Sequence, residues 1–499
     1  MTRGPSSISG WGRRVEVDRR TFLRGSALAL GAFTVVTTTG CIPSSSRGAI
    51  STFGKIDFVN QLNIPPLAAS TVRDNQRVFD LTVQSGRSSI VSQGDTDTWG
   101  VNGPLLGPTL RAKRGEQVRM HVSNQLDEAT TLHWHGMRVP ASADGGPHQM
   151  IEPGAVWSPS WTIDQPAATL WYHPHPHGQT ERHVHRGIGG FFLLDDDNES
   201  QLPLPREYGV DDLPLIVQDR TFDEHGALVE TERRDNGMLG DTLLVNGTFA
   251  PWFEVTAELT RLRLLNASAA RSYYFGFSDG RLFSMIASDG GLLEAPIDLE
   301  RIMLTPGERA EILVRMQPGE EVVLRSFPQD LGITQRLADR TGAADELDVL
   351  LLSAGNELRQ AQLLPAIFGS LGTMTPADAA QTRTFELGDN RINGQRMDME
   401  RIDAEVAAET IEVWEVQNIH TKPHNFHIHD VQFLVLDIDG DAPPSELTGW
   451  KDTIYAPPGV LLRLIMRFGQ NPDPEIPYMY HCHLLWHEDA GMMGQFVVQ

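Results

Sequence analysis

The stretch Gly115–Gly136, GEQVRMHVSNQLDEATTLHWHG, reads as a strand of alternating residues, a turn, and two histidines around a tryptophan. Its Asn124 is followed nine and eleven residues later by His133 and His135. Two other stretches lie over it. In AELTRLRLLNASAARSYYFGF, Ala257–Phe277, Asn266 is followed at the same offsets by Phe275 and Phe277. In AETIEVWEVQNIHTKPHNFHIHD, Ala408–Asp430, Asn418 is followed by His427 and His429. The three asparagines are 142 and 152 residues apart, a domain-sized period. Three related domains in tandem follow. The outer two carry His-x-His, and the middle one has the aromatic residues a core would want.

The rest of the chain supports an all-β reading. Segments such as QVRMHVSN and FLVLDID alternate in polarity and are separated by Gly, Pro, Asn and Asp. Many short strands punctuated in this way build sandwiches or barrels. Helix is expected only in short pieces, near Ala377–Arg383 and Glu357–Leu364. The 499 residues are 40% hydrophobic and 21% charged, an ordinary globular composition. The net charge is −24, and the first 41 residues hold six arginines against Glu16 and Asp18, so the remainder is more acidic still. That balance argues against nucleic acid as a partner. It attracts cations, metal ions and aromatic amines among them, or serves solubility alone.

The N-terminal VDRRTFLRGSALALGAFTVVTTTGC looks like a twin-arginine export signal, with Arg19 and Arg20 ahead of an apolar run. Its last residue, Cys41, resembles a lipid-attachment cysteine, although Thr38 stands where leucine is usual. The other reading makes Cys41 incidental. Cys482 is the second of the two cysteines. If Cys41 is spent on the signal, Cys482 has no disulfide partner. It is then a buried inert residue, a nucleophile or a metal ligand.

Eight of the 17 histidines form four His-x-His pairs, at 133/135, 173/175, 427/429 and 481/483. On a strand, residues i and i+2 face the same side, so each pair presents two imidazoles in one direction. Eight imidazoles exceed what one ion takes, so a cluster of ions is implied. The pairs sit in the two outer domains, which must therefore meet. Cys482 lies between His481 and His483 and faces the opposite side. There it can meet His487 and Met492, with His424 as the second imidazole. Cysteine, two histidines and a distant methionine make a blue-copper ligand set. Adjacent residues would thus serve two copper sites on the order of 10 Å apart.

With those residues in place the sequence resembles the multicopper oxidases, in their three-domain bacterial laccase and cuprous-oxidase branch. The motifs are HWHG at 133–136, WYHPHPHG at 171–178, HNFHIH at 424–429 and HCHLLWHEDAGMM at 481–493. The resemblance runs from about residue 60 to the end. It implies three cupredoxin-like Greek-key domains, at 60–202, 203–355 and 385–499. A signal at 1–41 and linkers at 42–59 and 356–384 complete the chain. It implies about four copper ions. His424, Cys482, His487 and Met492 would hold type 1 copper, and His133 and His427 type 2. His135, His173, His175, His429, His481 and His483 would hold the type 3 pair. Glu488 and Asp144 would deliver protons to reduced oxygen. The protein would be exported to the periplasm or cell surface, as a monomer.

The remaining histidines read as surface: His177, His183 and His185 in a solvent-facing loop, with His148 and His225 exposed. Met493 reads as core or rim, and Met397 and Met399 as packing. Copper-oxidising relatives often carry a methionine-rich insert, but residues 356–384 hold only Met374. Those relatives place Asp and Met just before the position of His424, where this chain has His420 and Lys422. A lysine there repels Cu(I). The substrate expectation is therefore phenols and aromatic amines with O2 as acceptor, and cuprous oxidation is the alternative. A scaffold that has lost its copper ligands is a third class, against which the full ligand set argues. Asn425 stands where proline is usual, a change expected to be minor.

Overall fold

The computed structural model describes residues 48–499, apart from 231, 232, 235 and 470. The expected export signal and Cys41 lie outside the described residues.

The internal repeat has a structural basis. In each copy, the strand that ends on the shared asparagine pairs in parallel with an earlier strand. Gln117–Asn124 pairs with Gln76–Val91, Leu259–Asn266 with Asp212–Arg220, and Ile411–Asn418 with Gln381–Gly388. Each asparagine side chain is buried and closes the turn that follows. Its Oδ1 accepts the peptide N–H two residues on, at Leu126, Ser268 and His420. Its Nδ2 donates to one carbonyl in the same turn (Glu128, Arg271 or Lys422) and to a second one, of Ile151, Leu304 or Ala456. A short amide with both donors and an acceptor suits this closure, and no other residue type offers that set.

Each copy folds as two sheets face to face. The first has one of four strands and one built on Gln76–Val91, the middle has six and seven strands, and the third has two of five. The inner faces form three separate cores, around Trp134, around Phe275 and around Trp414. One strand departs from sequence order: Asn60–Gln61 pairs with Pro251–Trp252 of the middle sheet, which straps the start of the described chain to that unit.

The two expected helices survive only as one short 3-10 turn, Pro376–Asp378, at the start of the first stretch. Residues 357–359 end a long strand, Leu347–Arg359, and 381–383 begin another, Gln381–Gly388. In both places, pairing with neighbouring strands overrides the local helical preference. Among the described residues the α-helices are Thr180–Arg186, Asp197–Gln201, Gln335–Thr341 and Leu485–Asp489.

Candidate metal centre

Strand register places the first pair and one histidine of each other pair; His175, His429 and His483 lie just past the strand ends. The short strand His133–His135 runs antiparallel to Ala168–His173, with His133 opposite His173. In the third copy His424–Ile428 runs against Asp473–His481, with His427 opposite His481. The two ligand-bearing edges then face each other across the interface of the outer domains. His133 stacks on His429 at 3.9 Å between ring centroids, and His135 on His427 at 3.8 Å. His481 Nε2 lies 3.1 Å from His175 Nε2 and 3.2 Å from His429 Nε2. His483 packs against His135 and His173. All eight rings are buried.

One nitrogen of most rings is tied outward and fixes the other inward. His133 Nδ1 donates to the Asp144 carbonyl at 2.9 Å, His173 Nδ1 to the Pro174 carbonyl at 2.9 Å, and His427 Nδ1 to the Asp452 carbonyl at 2.8 Å. His429 Nδ1 donates to the Asp144 carboxylate at 2.8 Å. His135 is turned the other way, its Nε2 donating to Asp452 Oδ1 at 2.9 Å. The freed atoms, Nε2 of His133, His173 and His427 and Nδ1 of His135, have no hydrogen-bond partner. Buried imidazole nitrogens aimed at one another are costly unless a cation sits between them.

The second group lies on the far side of Cys482. His424 Nδ1 and His487 Nδ1 are 3.0 Å apart, and Cys482 Sγ is 3.6 Å and 3.5 Å from them. Met492 is buried in the same apolar cluster as Cys482, and its carbonyl accepts the Cys482 N–H. Burial pushes the Cys482 thiol up to about 12. A metal in this pocket reverses that by coordinating the thiolate. Soft sulfur beside imidazole fits copper, and an imidazole cluster suits it as well. The donor set therefore fits copper at both places.

The carboxylates divide by environment. Burial alone would raise Asp144, but the His429 and His133 imidazoles hold it well below the usual carboxylate range. Asp144 is therefore an anion that orients two rings. Burial, with Asp489 nearby, pushes Glu488 well above its ordinary value. Its oxygens stand 3.3 Å from His175 Nδ1 and 3.3 Å from His481 Nδ1, without hydrogen-bond alignment. It is a fully buried carboxyl beside two rings of the cluster.

Several residues escaped sequence reasoning. Asp452, in GWKDT, holds His135 and is itself gripped by both terminal nitrogens of Arg309 at 2.7 Å. Gly136 is needed here: it has φ +81°, and a Cβ would come within 2.5 Å of Asp452 Oδ2. Asp452 stands well away in sequence from both flanking ligand motifs, so no local signal marked it. Asn425 is not a minor change. It is fully buried and hydrogen-bonded on both ends of its amide. His183 and His185 are also not in a solvent-facing loop. They are buried on the helix Thr180–Arg186, and His183 Nε2 donates to Glu128 at 2.8 Å. His177, His148 and His225 are exposed, and Met493 is core. His420 stacks on His424 at 5.7 Å and is partly exposed.

Comparison with known proteins agrees with this geometry. Sequence models described as multicopper oxidase match residues 82–199, 211–323 and 370–499. The cell division protein FtsP of Dickeya dadantii is 38% identical over 97% of this chain and 99% of its own. A laccase from Pediococcus acidilactici superposes with a TM-score of 0.81 at 35% identity, over 88% of this chain and 94% of that one. A laccase-like multicopper oxidase from Ochrobactrum sp., with oxidase activity towards lignin model compounds, gives 0.80 at 35% identity, over 88% and 100%.

Proposed function

The chain belongs to the multicopper oxidase family, as a three-domain member, and from that premise we propose that it is a laccase-like oxidase of phenols and aromatic amines. The observation that carries the reading is the joint burial of two converging donor groups, linked by the single residue step from Cys482 to His481 and His483. Type 1 copper would be held by His424, Cys482, His487 and Met492, type 2 by His133 and His427, and the type 3 pair by the other six paired histidines. Copper bound there supplies one-electron redox chemistry at the thiolate site and reduction of O2 to water at the histidine cluster.

The chain's own groups do the rest. Asp144 and Asp452 fix ring orientation across the interface. Glu488, whose carboxyl burial pushes well above its ordinary value, lies 3.3 Å from His481 Nδ1 and would deliver protons to oxygen reduced at the cluster. The buried rings exclude bulk water, which strengthens every charge interaction among them. The partly exposed His420, stacked on His424, and the exposed Ile419 beside it would offer an aromatic donor a place to stack. Export by the twin-arginine route to the periplasm or cell surface completes the proposal.

The test is to load the purified protein with copper, then record its visible spectrum and its O2 uptake with a phenol and with Cu(I). A blue protein that consumes O2 faster with the phenol supports the reading. Preference for Cu(I) would move it to the cuprous-oxidase alternative, and a colourless protein without O2 uptake would sink both. A second reading, a role at cell division, is favoured by identity to FtsP over nearly the whole length. Deleting the gene and supplying Cys482→Ser separates the two: rescue of any division defect by that variant would show a role independent of turnover.

A further inference from the structure

Asn425 follows the type 1 ligand His424, at a place where the resembling oxidases usually carry proline. Its side chain is buried, and every hydrogen-bonding position on it is taken or faced. Nδ2 donates to Thr305 Oγ1 at 3.1 Å and to the Pro306 carbonyl at 2.9 Å. Oδ1 accepts the His483 N–H at 2.6 Å and lies 3.5 Å from Cys482 Sγ. The partners fix which end is oxygen, because His483 N–H can only donate and the Pro306 carbonyl can only accept. One amide thus joins three parts of the molecule: the strand bearing His424 and His427, the segment bearing Cys482 and His483, and a turn of the middle domain. That turn is held in place as well. Glu308 Oε2 accepts from Thr305 Oγ1 at 2.7 Å, and Lys451 Nζ donates to Glu308 Oε1 at 3.0 Å. Gly307 lies flat on the His483 ring, where a Cβ would come within 3.1 Å.

We propose that Asn425 is a positioning residue for the electron bridge, fastening the Cys482–His483 segment to the ligand-free middle domain and thereby setting copper affinity and ligand geometry at the type 1 site. The proposal rests on the copper reading above. The middle domain would then be more than a spacer, since it would hold one wall of the bridge. Proline has no side-chain amide and could not make this joint. A ligand-supporting residue of this kind typically controls metal affinity by about 10- to 100-fold.

The experiment compares wild type, Asn425→Ala and Thr305→Val in copper titrations, with the visible spectrum and the thermal melting of the copper-free protein as readouts. Asn425→Ala should weaken type 1 copper binding by about 10- to 100-fold and shift or weaken the blue band. Thr305→Val removes only one anchor of the amide and should act in the same direction with a smaller effect. A purely structural role would lower the melting temperature and leave affinity and band untouched, which would overturn the proposal. If Asn425→Ala does not fold, Thr305→Val decides on the same two readouts, and wild-type values there would overturn it. A wild-type protein that never turns blue defeats the copper reading itself, and that result is distinct from any difference among the variants.

Discussion

The middle domain and the outer two use one backbone plan for opposite ends. At equivalent offsets from the shared asparagine, the middle copy places Phe275 and Phe277, and the outer copies place His133 and His135 or His427 and His429. Phe275 is fully buried, stacks on Tyr273 at 5.2 Å, and belongs to the largest apolar core. The histidines at the same station are buried just as deeply, but against each other and against carboxylates. Burial depth is therefore common to all three, and the faced surface differs: a sheet of the same domain in one case, another domain in the others. The middle unit still contributes, through Arg309 on Asp452 and Thr305 on Asn425.

The strongest way to break the comparison is to exchange the stations. His427→Phe makes the third copy resemble the middle one. It should remove copper from the histidine cluster and cut O2 reduction at least about a thousandfold, as seen by metal analysis and O2 uptake. The reciprocal Phe275→His should gain no copper. It would bury an unpartnered imidazole at a cost of about 2–5 kcal/mol, read by denaturant unfolding.

Next in size is Asp452→Asn. The His135 ring would lose its fixed orientation, and Arg309 would lose its bidentate partner. Cluster copper affinity should fall by about 10- to 100-fold in a competition titration. Unchanged affinity would mean that Thr453 Oγ1, 3.2 Å from His135 Nε2, and packing hold the ring without Asp452.

An effect of similar size concerns acid. Burial lowers His183 to about 4, against about 6.5 in an unfolded chain. A depressed folded value gives stability that is present above the unfolded value and lost as pH falls through the folded one. Burial likewise lowers His429 to about 4 and His483 to about 3, so the sign is shared. These histidines make the copper-free protein less stable as pH falls from about 6.5 to 4, whereas Asp430, pushed up to about 8 by burial, acts in the opposite direction, so the histidine part is read as a difference between wild type and variant. His183→Gln should remove on the order of 2–3 kcal/mol of that dependence, visible as a flatter plot of melting temperature against pH.

What could be read beforehand follows from locality. Strand alternation acts over two residues, so the four pairs and the opposed facing of Cys482 were legible from spacing alone. The repeat was legible because the asparagine closure needs one residue type at one place in each copy. Asp452, Arg309 and Asn425 were not legible as a set. Asp452 reaches His135 across 317 positions, and Asn425 reaches Thr305 across 120. No local pattern encodes such partners. The helix of His183 and His185 was missed because seven residues give too few turns for a periodic signal.

The central claim is that Cys482 holds one copper while its neighbours His481 and His483 hold others. Copper content by elemental analysis, read with the visible spectrum, tests it directly in wild type and Cys482→Ser. The account predicts about four copper ions and a blue band in the wild type. In the variant it predicts one copper fewer and no blue band, with the cluster copper retained. Equal copper content in the two proteins, or a blue band that survives the substitution, would contradict it.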